Sequence, residues 1–91
     1  MTETVRDNTD EQRFELEIEG QTAFVYYERK PGIITFMHTD VPLVMSGKGV
    51  ASRLIKGALE QVRAAGLKVK AECEFAAGYL GKHPEYNDLI A

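Results

Sequence analysis

The chain has 91 residues, enough for one compact domain and too few for two. Its 44% hydrophobic content can build a core without metal or disulfide staples, and a formal net charge of -3 argues against a dedicated nucleic-acid binder, whose surface carries a basic stripe. Cys73 is the single cysteine and cannot form an internal disulfide, and no stretch nears the ~20 apolar residues of a membrane span. A cytoplasmic protein with no membrane and no nucleic-acid partner is expected.

Met1 to Gln12 is polar and acidic, has no apolar signal core, and reads as a flexible tail before a single domain over residues 13–91. From Arg13 to Glu19, Phe14, Leu16 and Ile18 alternate with Glu15, Glu17 and Glu19, the pattern of a half-buried strand. Gly20-Gln21 predicts a hairpin turn, and Thr22 to Arg29, rich in Val and aromatic residues, a second strand. Lys30-Pro31-Gly32 supplies the next turn. Ile33 to Thr39 is the third strand, with Ile34, Phe36 and His38 predicted on one face.

After a Pro42-containing connection, Val50, Leu54, Ile55, Ala58, Leu59 and Val62 have the spacing of a helix with one buried stripe. Gly66 is placed to end it in a left-handed conformation. Leu67, Val69, Ala71 and Cys73 alternate with charged residues as a fourth strand. A short helix follows over Phe75 to Lys82, stopping before Pro84. The class is α+β: a three-stranded antiparallel meander, a helix, a strand parallel to Ile33–Thr39, and a short C-terminal helix.

Ser46-Gly47-Lys48-Gly49-Val50-Ala51-Ser52 opens the longest helix. A helix head has unpaired N–H groups and partial positive charge, the glycines let an anion approach the backbone, and Lys48 adds charge. These are the requirements of a pyrophosphate site. They are equally those of a glycine-rich helix entrance that binds nothing. A nucleotide-hydrolysing P-loop is excluded because Lys48 is followed by Gly49, and a dinucleotide fingerprint lacks its third glycine.

Four blocks in order, His38-Thr39-x-Val41-Pro42, Gly47-x-Gly49-Val50-Ala51-Ser52, Cys73-x-Phe75 and His83-Pro84-x-Tyr86, resemble the small acetyltransferase-like proteins among the GCN5-related N-acetyltransferases. The likeness runs from Arg13 to Ile90 and departs from the signature at Val44, where the family holds Gln or Arg. It implies a minimal fold of that family and a site for acetyl-coenzyme A or coenzyme A. The backbone of Gly47, Lys48, Gly49, Val50, Ala51 and Ser52 would hold the pyrophosphate, and His38, Thr39 and Val41 would pair with the pantetheine arm. Cys73, Phe75 and Tyr79 would lie toward the acyl end.

The resemblance also implies catalytic roles. Cys73 stands where the small subfamily places a cysteine facing the acyl group, a candidate nucleophile at the head of a helix. A second reading makes it a buried small apolar residue, and Glu72 and Glu74 flank it with negative charge. His38 is either a candidate base or a strand-end histidine. Against the pattern N-x-x-A-x-x-x-Y counted from Cys73, Ala76 fits but the tyrosine position falls on Leu80, so Tyr79 is one step early and reads as packing. The implied function is acetyl-coenzyme A-dependent N-acyl transfer to an amine of a small molecule or protein. The alternative is a coenzyme A or acyl-coenzyme A binding module with little or no turnover. Glu19 to Thr22 leaves room only for a tight turn, so the acceptor site is expected to be open, or completed by a partner.

Overall fold

The structure, a computed structural model, describes residues 5–45 and 49–91. In chain order the elements are β1 (Arg6–Asn8), β2 (Arg13–Ile18), β3 (Gln21–Lys30), β4 (Ile33–Asp40), α1 (Val50–Ala64), β5 (Lys68–Ala71) and α2 (Glu74–Lys82), with 3-10 turns at Leu43–Met45 and Pro84–Leu89. The strands form one sheet in sequential order, antiparallel from β1 to β4, with β5 added in parallel beside β4. The parallel pair is the one that the strand–helix–strand order predicts. Glu19 and Gly20, both at positive φ, form the β2–β3 turn, one residue earlier than expected.

The meander has one strand more than its alternation announces. Arg6–Asn8, expected within a flexible tail, pairs with Arg13–Glu15. Three polar residues carry no readable period. What holds them is tertiary: Glu15, only 5% exposed, accepts from Arg6 (2.6 Å), Asn8 (2.9 Å) and Arg13 (2.7 Å). On the other side of the same strand, Tyr27 donates to Asp7 at 2.6 Å. Val5, just ahead of the strand, lies on α1 at Gly57, where a Cβ would sit 2.3 Å from a Val5 methyl. Only glycine leaves that slot.

One face of the sheet holds the core. Phe14 and Leu16 of β2, Ala23, Val25 and Tyr27 of β3, and Ile34 and Phe36 of β4 meet Leu54, Ile55, Ala58, Leu59 and Val62 of α1. Fully burying a Leu, Ile, Val or Phe side chain contributes roughly 1.5–3 kcal/mol, so this stripe fixes α1 against the sheet. Gly66 then ends the helix as predicted: its N–H donates to Arg63 O and that of Leu67 to Val62 O, both at 3.1 Å. Ala76, Tyr79 and Leu80 of α2 join the same core. Beyond the Pro84–Leu89 turn, Ile90 bridges Val69 in parallel, and Ala91 N–H reaches Val69 O at 2.9 Å along the outer edge of β5.

β4 breaks its own alternation. Tyr27 pairs with Phe36 and Tyr26 with His38, so Met37 is an extra residue, a bulge. Past it the faces exchange: Thr39 stands opposite the buried Val25, and His38 opposite Tyr26. The expected grouping of Ile34, Phe36 and His38 is therefore corrected. Thr39, not His38, continues the core face.

Candidate active site

β4 and β5 pair from Ile33 and Lys68 to Phe36 and Ala71 and then separate. At the parting point the N–H groups of Glu72 and Cys73 both donate to Phe36 O, at 2.8 and 3.0 Å. One carbonyl serves two donors because the chain is turning away into α2 while β4 runs on beside β3 to Asp40. Met37–Asp40 thus has a partner strand on one side only. A cleft of about 370 Å³ opens there, lined by Met37, His38, Thr39, Glu72, Cys73, Glu74 and Phe75.

Cys73 lies at the closed end. It is the N-cap of α2 in extended conformation, its carbonyl accepting from Ala77 N–H at 2.9 Å. No side-chain bond caps the helix, so the sulfur sits at the partly positive end of α2 with its own carbonyl committed to the first turn. Its partner is Thr39, whose Oγ1 lies 2.9 Å from Sγ in a contact where either atom can donate. The bulge makes this pair, since without the extra residue Thr39 would face the other side of the sheet. Cys73 is 9% exposed, packed on one side and lining the cleft on the other.

His38 lines the cleft, but its ring is stacked on Tyr26 with centroids 6.2 Å apart, and it has no hydrogen-bonding side chain among the described residues. Its ring belongs to an aromatic row on the helix-free face, Phe24, Tyr26 and His38, with the Arg13 guanidinium 4.0 Å over Phe24. Nothing there orients it as a base. Tyr79 is absent from the residues lining the cleft. It is buried and stacked on His83 at 4.0 Å, with Tyr86 at 6.2 Å, and burial raises its phenol pKa above the ordinary value. Tyr79, one residue early against the family pattern, packs in the core beside His83 rather than along this cleft.

The helix entrance is described from Gly49 onward, so Gly47 and Lys48 lie outside the described residues. Gly49 is the N-cap of α1 with φ 69, a conformation that glycine adopts without strain, and nothing lies within 4 Å of where its Cβ would be. Among the described residues no side-chain hydrogen bond caps this helix, and no acidic residue occupies its first turn. Val50 is buried in the core, Ala51 is half-buried and Ser52 exposed. A helix head with a glycine at its lip suits a phosphate group. Val41 packs against the core margin, and Phe75, 40% exposed, forms one wall of the cleft.

Met37, Glu72 and Glu74 complete the cleft and were not among the expected site residues. Glu72 and Glu74 could have been named, because they bracket Cys73 in the sequence. Met37 could not, since no local pattern marks which residue of a strand is the extra one.

Against known proteins, the family model described as GCN5-related N-acetyl-transferase matches residues 13–89. The solution NMR structure of a GCN5-like protein from Staphylococcus aureus, a candidate N-acetyltransferase, superposes with a TM-score of 0.72 at 28% identity, covering 96% of this chain and 86% of that one. The chain matches no curated protein. A match over most of the chain, with the α+β order and the parted strands in place, shows that this protein belongs to the GCN5-related N-acetyltransferase family.

Proposed function

We propose that the protein is an acetyl-coenzyme A-dependent N-acyltransferase acting on an amine. The observation that carries this reading is the parting of β4 and β5 after Phe36 and Ala71, with Cys73 and Thr39 at the closed end. Bound acetyl-coenzyme A supplies an activated acyl thioester. The N–H groups at the head of α1, from Gly49 to Ser52, would hold its pyrophosphate, together with Gly47 and Lys48. The backbone edge Met37–Val41 would pair with the pantetheine amides. Phe75 and Met37 would wall the acyl end with apolar side chains, and the Thr39–Cys73 pair provides a polar group that can hold or move a proton there.

Isothermal titration with acetyl-coenzyme A, paired with a thiol-release assay over an amine panel, tests the reading. Binding that Gly49→Glu abolishes, with turnover of at least one amine, is the expected result. Binding without turnover of any amine favours the alternative, a coenzyme A binding module. That alternative draws on the position of Tyr79, which is buried and does not line the cleft where a leaving thiolate would form. Cys73→Ser separates the sulfur's roles: retained turnover would remove it as nucleophile.

A further inference from the structure

β1 lies ahead of residues 13–89, the stretch that the family model matches, and is joined to it by residues 9–12, all exposed. Its holds on the rest of the chain are specific. Arg6 and Asn8 bond to Glu15, Tyr27 donates to Asp7, Val5 fills the slot at Gly57, and the Gln61 amide donates to Val5 O. The connecting turn is closed less firmly. Glu11 N–H reaches Asn8 Oδ1 at 3.2 Å and Gln12 N–H reaches Thr9 O at 3.3 Å, both at the long end for such bonds. Gln12 has φ 54, a left-handed conformation disfavoured for a residue with a Cβ.

We propose that β1 exchanges between two copies of this chain, each β1 adding to β2 of the other copy, and that Asp10 and Glu11 hold the exchange in check. The occupant fits because it is the same segment making the same contacts, so only the turn is lost. Opening the turn also lets Gln12 return to extended geometry. The register fixes what becomes of residues 9–12. Arg6 opposes Glu15, Asp7 opposes Phe14 and Asn8 opposes Arg13. Continued across the two-fold axis of a dimer, that register sets Thr9 against the partner's Gln12 and Asp10 against the partner's Glu11. Two like-charged pairs then stand directly opposed at the axis, which destabilises an antiparallel pairing. Arg13 offsets them little, since its Nη1 is 3.9 Å from Glu11 and its Nε is held by Glu15 at 2.7 Å. The cleft takes no part in the exchange, so the proposal is independent of the acyltransferase reading.

The test is the dimer dissociation constant, read by sedimentation equilibrium after prolonged warming at low salt. The double variant Asp10→Asn, Glu11→Gln is expected to lower it about ten-fold against the unaltered chain, because both opposed pairs lose their charge. Salt at about 1 M should bring the two proteins within about two-fold of each other. Deleting residues 9–12 joins β1 directly to β2, leaves no turn to fold back, and should give a dimer. Inserting two glycines between positions 10 and 11 of the double variant frees the turn and should weaken its dimer about ten-fold. That last arm separates exchange from association through another surface, which a longer link would not change. Equal constants at low salt, or no dimer in either protein, overturn the proposal. So does a deletion variant that folds and stays a single copy, or a dimer that the glycines do not weaken. If the deletion variant fails to fold, the double variant and its glycine insertion carry the test, since residues 10 and 11 are exposed and outside the core.

Discussion

Thr39 Oγ1 and Cys73 Sγ meet at 2.9 Å where β4 and β5 separate, bringing together residues 34 positions apart. The hydroxyl can donate to the sulfur, and such a bond has a net strength of about 1 kcal/mol. Thr39→Val is therefore expected to slow alkylation of Cys73 by iodoacetamide about five- to ten-fold at neutral pH. Thr39→Ser should stay near the wild-type rate. Equal rates in all three proteins would show that the contact is packing only.

Tyr79→Phe is expected to leave acyl transfer within about two-fold, because its ring packs on His83 and lies outside the cleft. Tyr79→Ala should lower stability by about 3–5 kcal/mol, the usual loss for a buried large aromatic residue. A large fall in kcat for the Phe variant, with an unchanged melting temperature, would restore Tyr79 as an acid.

Glu15 predicts a pH dependence. The Arg6 bond leads in holding its carboxyl at about 2, below the ordinary 4.5; Asn8 and Arg13 add to it, and desolvation opposes. The carboxylate is shallow, covered by these side chains rather than by the core. A depressed native pKa means that the unfolded chain takes up the proton first. The stabilisation is complete above the unfolded value near 4.5 and fades as pH falls through 4.5 toward 2. Urea midpoints should drop between pH 6 and pH 3. Glu15→Gln should lose about 1–3 kcal/mol at pH 7 and show a flatter profile. A parallel profile in the variant would place the acid sensitivity elsewhere.

Gly57 predicts a local effect. An added Cβ would strike Val5, while alanine in a helix interior gains about 1 kcal/mol over glycine. Gly57→Ala should therefore change global stability little and release β1, read as faster hydrogen exchange at Arg6–Asn8. Unchanged protection there would mean that Val5 relocates without freeing the strand.

The regular parts of this fold were legible because each has a period. Phe14, Leu16 and Ile18 announced β2 by alternation, and Val50 to Val62 announced α1 by its stripe. β1 was hidden because Arg6, Asp7 and Asn8 are ordered by partners far along the chain, namely Glu15, Tyr27 and the Gly57 slot under Val5. At the site, Cys73 and Phe75 were found through the family block that contains them. Thr39 was named as well, but its facing was not, because one extra residue at Met37 inverts every face after it and leaves no local trace.

The same bulge divides β4 into two independently editable stretches. Ile33–Phe36 is committed on both edges, to β3 and β5, and its inward side chains are core. His38–Asp40 is committed on the β3 edge only, and Thr39 faces the sulfur. Because Met37 absorbs a change of phase, substitutions in the second stretch can remodel the cleft without repacking the first. The stretch before residue 37 is therefore governed by stability, and the one after it, where the family block His38-Thr39-x-Val41-Pro42 begins, by what the cleft must hold.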